Sequence, residues 1–178
     1  LTGGPVTVRG IDPSYLHMAI MKLRAMGCCV EAGEDWITCS RNQPLQPTDI
    51  QTLPHPGFPT DLQAQFMLLC SLAHGTSMVT ENVFENRFMF ASELARMGAD
   101  ITIEDHHALV RGVNDLQGTD VSSTDLRAGA ALVLAGIVAE GETRVHNIKH
   151  IDRGYEDYCG KLSQLGANVT RRQVGAAE

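Results

Sequence analysis

Leu23-Arg24-Ala25-Met26-Gly27-Cys28-Cys29-Val30 recurs as Leu94-Ala95-Arg96-Met97-Gly98-Ala99-Asp100-Ile101 and again as Leu162-Ser163-Gln164-Leu165-Gly166-Ala167-Asn168-Val169. The three glycines are 71 and 68 residues apart. Self-similarity of this kind marks one supersecondary unit used repeatedly. Apolar residues reach each glycine at helical spacing: Leu16, Ile20 and Leu23 in the first copy, Tyr155, Tyr158 and Leu162 in the third. A glycine just past the last periodic residue predicts a left-handed helix C-cap, and the alternation after it predicts a strand.

Outward from these glycines a second element repeats. Thr60-Asp61-Leu62 opens an apolar helix ending near Gly75, and Thr124-Asp125-Leu126 opens another ending near Gly141. Leu126, Ala130, Val133 and Ile137 hold the spacing of a buried helix face. Short strands are expected at 6–8, 77–80 and 143–146. The unit thus reads strand, helix, strand, helix and a two-stranded return, turning at Ala32-Gly33-Glu34-Asp35 in the first copy and at His106-His107 in the second. The first copy lacks the Thr-Asp-Leu helix and the third shows no clear return strand, so the chain is expected to be a fragment of a longer polypeptide.

Composition bounds the function. The 178 residues carry 14 Lys plus Arg against 21 Asp plus Glu, a formal charge of -7, which argues against a nucleic-acid partner tracking phosphates. A few arginines gathered around a small anion remain compatible with it. The longest apolar run, 128–139, is too short to cross a bilayer and reads as a buried helix, so no membrane partner is expected. No basic-then-apolar leader follows Leu1, and none of the five cysteines forms a C-x-x-C pair. They read as reduced thiols of a cytoplasmic protein. His146-x-x-x-His150 has metal-like helical spacing but falls in a strand-and-loop reading without a third ligand, and His106-His107 reads as a solvated hairpin tip. There is neither a Walker loop nor a G-x-G-x-x-G cradle for a nucleotide.

Four ordered stretches go beyond scaffold: Phe58-Pro59-Thr60-Asp61-Leu62-Gln63-Ala64-Gln65, Glu81-Asn82-Val83-Phe84-Glu85-Asn86-Arg87-Phe88, Thr124-Asp125-Leu126-Arg127-Ala128 and His150-Ile151-Asp152-Arg153-Gly154-Tyr155-Glu156. Together they resemble the UDP-N-acetylglucosamine enolpyruvyl transferases (1-carboxyvinyltransferases), from Val6 to Val169. The resemblance implies an α/β (α+β) fold: an inside-out α/β barrel domain of three βαβαββ repeats. Residues 1–178 would form one domain, the C-terminal half of a two-domain enzyme, with incomplete first and third repeats. The missing N-terminal domain, bearing the family's reactive cysteine and lysine, would be its partner. The implied reaction moves the enolpyruvyl group of phosphoenolpyruvate to the 3-hydroxyl of UDP-N-acetylglucosamine and releases phosphate, opening peptidoglycan precursor synthesis. It requires no metal and no organic cofactor. Alternatives are the related transferase acting on shikimate 3-phosphate and a non-catalytic paralogue that binds UDP-sugar and regulates.

The resemblance also assigns residues. Asp61 is implied as the base at the sugar hydroxyl or the group that orients it; Thr60-x-x-Gln63 equally matches a capping box with an acid in the first helical turn. Asp125, at the same place in the next unit, is implied beside the reacting centre, and the same capping alternative applies. Arg127 is implied as an anion contact, with an Asp125–Arg127 or inter-domain ion pair as the alternative. Arg87 is implied as a catalytic anion contact facing the cleft, where its fork suits carboxylate or phosphate; otherwise it is a solvated surface residue. Val83 and Phe84 are implied along the bound UDP-sugar, with core filling the alternative for at least one. Arg153 is implied on phosphoenolpyruvate, with Asp152 or Glu156 as alternative partners.

Overall fold

A computed structural model describes residues 1–2 and 4–172. Nine strands and six α-helices follow in order: β1 (Val6–Arg9), α1 (His17–Ala25), β2 (Cys29–Ala32), β3 (Trp36–Ser40), β4 (Ile50–Gln51), α2 (Gln63–Ser71), β5 (Thr76–Thr80), α3 (Ala91–Arg96), β6 (Asp100–Glu104), β7 (His107–Arg111), β8 (Asp120–Ser122), α4 (Leu126–Val138), β9 (Arg144–His146), α5 (Lys149–Asp152) and α6 (Tyr158–Gln164).

The repeated glycines do what their lack of a Cβ allows. Gly27, Gly98 and Gly166 sit at φ +86°, +96° and +92°. In each copy the amide after the glycine donates to the carbonyl five residues back: Cys28 to Leu23, Ala99 to Leu94 and Ala167 to Leu162. This 6→1 bond satisfies helix-end carbonyls that would otherwise be orphaned. The predicted turns follow. β2 and β3 are joined through 33–35, and β6 and β7 through Asp105 and His106, with His107 already in its strand.

The middle unit is complete: β4-α2-β5-α3-β6-β7. Its sheet has the order β4-β5-β7-β6, parallel at β4–β5 and antiparallel elsewhere. The first unit reproduces the later part, with β1 and β2 flanking β3 antiparallel. The third reproduces the opening part, with β8 parallel to β9. In the middle unit β6 pairs only with β7 among the described residues. The third copy has no such hairpin partner among the described residues, and 167–172 is irregular rather than the expected strand. Residues 3 and 173–178 of the expected 1–178 domain lie outside the described residues.

Helices α2 and α4 pack against one another beneath the sheets. Phe66, Met67 and Leu68 of α2 meet Ala128, Ala131, Leu132 and Ala135 of α4 in a single core shared with Ile50, Val79, Ala108 and Val110. The face expected to be buried on α4 holds only in part: Ala130 is buried and Leu126 half-buried, and the side turned to α2 is rotated from it. Small residues at 128, 131 and 135 allow close approach to α2, whereas Val133 and Ile137 are half-buried and line an open trough beside α6. Among the described residues no helix is long and apolar enough to cross a membrane. The expected helical run through Tyr155 is also interrupted. α5 ends at Asp152, and Asp157, at φ +43°, caps α6 by accepting from the Gly160 amide.

Candidate active site

The starts of α2 and α4 come together. α2 is entered through a 3-10 turn, Thr60–Leu62, after Pro59. No side chain caps it, so the Thr60/Gln63 capping box does not form. The Thr60 hydroxyl instead donates to Glu81 Oε2 at 2.8 Å, and the Asp61 carboxylate accepts from Arg127 Nε at the head of α4. Asp125, at the same place in its own unit, behaves differently. Its Oδ1 accepts from the Arg127 and Ala128 amides at 2.8 and 3.2 Å, a true N-cap on α4. Arg127 thus meets Asp125 only through its backbone, and its guanidinium pairs across units with Asp61. The Asp125–Arg127 side-chain pair given as the alternative is therefore replaced by a different one.

The two carboxylates now have separate surroundings. Asp61 is 63% exposed and its Oδ2 is unbonded among the described residues, as is Oδ2 of Asp125. Arg127 is the more enclosed partner at 27%. A half-buried phenol from the segment after α5 joins them: the Tyr155 hydroxyl accepts from Gln65 Nε2 at 3.5 Å. Burial pushes the Tyr155 hydroxyl above its ordinary range; nearby Arg127 opposes this and Asp61 adds to it. Tyr155 and Gln65 both lie in the quoted motifs, yet neither stands out there, because an apolar-faced tyrosine and a helix glutamine look like packing.

A second group is tethered to the first by Glu81, which is 3% exposed. Segment 82–90 leaves the end of β5 as irregular backbone, with Asn86 at φ +57°. Phe84 is half-exposed and Val83 half-buried, so neither fills a β-core. The Arg87 guanidinium lies over the Phe84 ring at 4.3 Å, a cation–π contact that favours this placement. Glu81, Phe84, Arg87, Ile103 and His106 are among the residues lining an open trough of about 790 Å³.

Arg153 closes α5 and is exposed. Neither alternative partner takes it: Asp152 pairs with Arg171 through two 2.8 Å bonds, and Glu156 with Lys161. It adjoins Gly154, whose Cα hydrogens face Leu126 at the start of α4, so its segment runs past the head of that helix. His146 bonds Asp120 at 2.7 Å rather than His150. Among the described residues no three His, Cys, Asp or Glu side chains converge as a metal site would need.

Residues 1–162 match the family model described as EPSP synthase (3-phosphoshikimate 1-carboxyvinyltransferase). The chain belongs to this family. Within it, the chain is 52% identical over 172 residues to the UDP-N-acetylglucosamine 1-carboxyvinyltransferase of Aeromonas hydrophila, covering 96% of this chain and 41% of that protein. It is 49% identical over 171 residues to the protein of the same name from Psychrobacter sp., again over 96% of this chain and 40% of the relative. The chain therefore spans about two fifths of the length of the curated relatives it matches. The enolpyruvyl transferase NikO of Streptomyces tendae superposes with a TM-score of 0.84 at 33% identity, over 92% of this chain and 39% of that one. An EPSP synthase from Acinetobacter baumannii superposes at 0.61 with 20% identity, over 82% and 35%, and shares the fold. The α/β architecture is thus that of the enolpyruvyl transferases.

Proposed function

We propose that this family member forms part of an enzyme that transfers the enolpyruvyl group of phosphoenolpyruvate to the 3-hydroxyl of UDP-N-acetylglucosamine. The observation that carries this reading is the Asp61–Arg127 pair at the joined heads of α2 and α4, in a chain about half identical to proteins named for that reaction. In the complete enzyme the three repeats close as an inside-out barrel, residues 1–178 form one domain of two, and the other domain covers the site. The protein then works in the cytoplasm on peptidoglycan precursors.

The chemistry assigns roles to each group. The acceptor oxygen bonds to the enol carbon C2 as its proton leaves, and a proton is added at C3. Loss of that C3 proton with cleavage of the C–O bond to phosphate restores the double bond. Asp61 offers Oδ2 to the hydroxyl proton while Arg127 holds Oδ1, fixing the carboxylate's orientation. Asp125, anchored by its own cap, presents its free oxygen beside the reacting carbons. Arg87, Arg127 and Arg153 bring positive charge to the carboxylate and phosphate in a cleft that excludes water. Val83 and Phe84 lie along the nucleotide sugar through side chains and carbonyls, since their amides are already donated to Glu81.

The test is phosphate release from phosphoenolpyruvate by the complete enzyme, or by a chimera carrying these residues in place of the matching part of the Aeromonas hydrophila relative. Release should need UDP-N-acetylglucosamine and fall about 10²-fold or more with Asp61→Asn. Release that survives Asp61→Asn removes Asp61 as the base. The family model's own description favours a second reading, shikimate 3-phosphate as acceptor. Turnover with that acceptor alone would select it. No release with either acceptor would leave a non-catalytic binding protein.

A further inference from the structure

Glu81 is buried and collects four donors on two oxygens. Oε1 accepts from the Thr52 hydroxyl at 2.8 Å and from the Val83 and Phe84 amides at 2.8 and 3.1 Å. Oε2 accepts from the Thr60 hydroxyl at 2.8 Å. Thr52 in turn receives the Asn82 amide on its Oγ1 at 2.9 Å. One carboxylate thereby joins the end of β4, the turn that carries Asp61, and the irregular segment that carries Phe84 and Arg87.

The third repeat is an internal control. Thr60 and Thr124 open equivalent helices, and Thr80 and His146 end the paired strands that follow, so Asn147 stands where Glu81 does. Asn147 donates to Ser122 instead, and the buried Thr124 hydroxyl has no partner among the described residues. The fold therefore tolerates loss of the acid at this position. Only the unit with the 82–88 segment has it, so the clamp serves that segment and not the repeat.

We propose that Glu81 is a positioning residue that locks the Val83–Arg87 segment and the Asp61 turn into one rigid arrangement, so that acceptor grip and base stay in register. It acts through reach rather than charge: its two oxygens face opposite sides. Glu81→Gln keeps the length and an acceptor for the two amides, and its NH2 meets a Thr60 hydroxyl that can rotate to accept. Glu81→Asp keeps the charge but is one methylene short.

The kinetic half of the test rests on the enolpyruvyl-transfer reading; the exchange half does not. In amide hydrogen exchange on the chain, Val83 and Phe84 should be protected in the wild type, stay largely protected in Glu81→Gln and lose protection in Glu81→Asp. In the complete enzyme Glu81→Asp should lower kcat about 10- to 100-fold, the scale of an ångström's misplacement, while Glu81→Gln stays within several-fold. Thr60→Val, which cuts only the link to the Asp61 turn, should lower kcat and leave KM for the nucleotide sugar nearly unchanged, and Thr60→Ser should restore it. The proposal is overturned if Asp rescues where Gln fails, if both are tolerated, or if Thr60→Ser is no better than Val. Exchange as expected without turnover would refute the enzymatic reading and leave the clamp standing. Turnover with Val83 and Phe84 unprotected would refute the clamp alone.

Discussion

Asp125 caps α4 and, on the proposed function, also faces the reacting carbons, and substitution separates the two. Its Oδ1 closes the start of the thirteen-residue α4, whose Ala128, Ala131, Leu132 and Ala135 fill the core against α2. Asp125→Ala strands the Arg127 and Ala128 amides and costs about 1–2 kcal/mol. For a chain of this length each kcal/mol moves Tm by about 2–4 °C, so the melt should fall by about 2–8 °C. Asp125→Asn keeps an acceptor for both amides and loses only the charge–dipole part, about 0.3–1 kcal/mol. Thermal melts followed by circular dichroism on the chain read the cap, and phosphate release by the complete enzyme reads the chemistry. Both variants should lose activity, by about 10²-fold if the free carboxylate oxygen acts on the reacting centre, but only Ala should lose much stability. Asn melting as low as Ala, or Ala melting with the wild type, would refute the capping argument; Asn with full activity would refute the chemical one.

Four further outcomes are expected. Leu132→Ala, at a fully buried α4 position, should cost about 2–5 kcal/mol in denaturant titration, far more than the Asp61→Asn change at an exposed pair, which should stay within about 1 kcal/mol. Burial raises the Cys70 thiol to about 11, so in the folded chain it stays protonated at pH 8 and alkylates slowly while exposed Cys29 reacts. The same shift makes the unfolded chain bind fewer protons above pH 9, so its stabilising share is complete below that pH and is lost as pH rises toward 11; Cys70→Ala should flatten that slope. Assayed alone, the 178-residue chain should release no phosphate from phosphoenolpyruvate, since its arginines and carboxylates line only one side of the proposed cleft, and turnover by the chain alone would overturn the two-domain reading.

Much of the fold was legible because its signals are local. A glycine that must turn left-handed announces a helix end wherever it occurs, and three such glycines outlined the repeat. A further repeat lies in the chain: Leu45-Gln46-Pro47-Thr48-Asp49-Ile50 returns as Leu116-Gln117-Gly118-Thr119-Asp120-Val121, where Leu45 and Leu116 are buried and β4 and β8 form. It carries no strand signal of its own because those strands are two and three residues long, too short for an alternation pattern. The α4 face is legible only in part, with Ala130 buried as expected, because in a run that is apolar all round periodicity carries little direction and small residues facing α2 decide the contact.

By itself the sequence determined the repeat, the left-handed turns, the strand and helix order of the middle unit, and the membership in a family that its four motifs resemble. The tertiary structure alone decided that Arg127 pairs with Asp61 and not with its near neighbour Asp125, that Arg87 lies on Phe84, and that Glu81 ties Thr60 to the segment after β5. Those choices depend on which helix heads and loop ends meet in space. Asp61 and Arg127 are brought together by the packing of α2 on α4, and packing is a property of whole faces that no single stretch of sequence records.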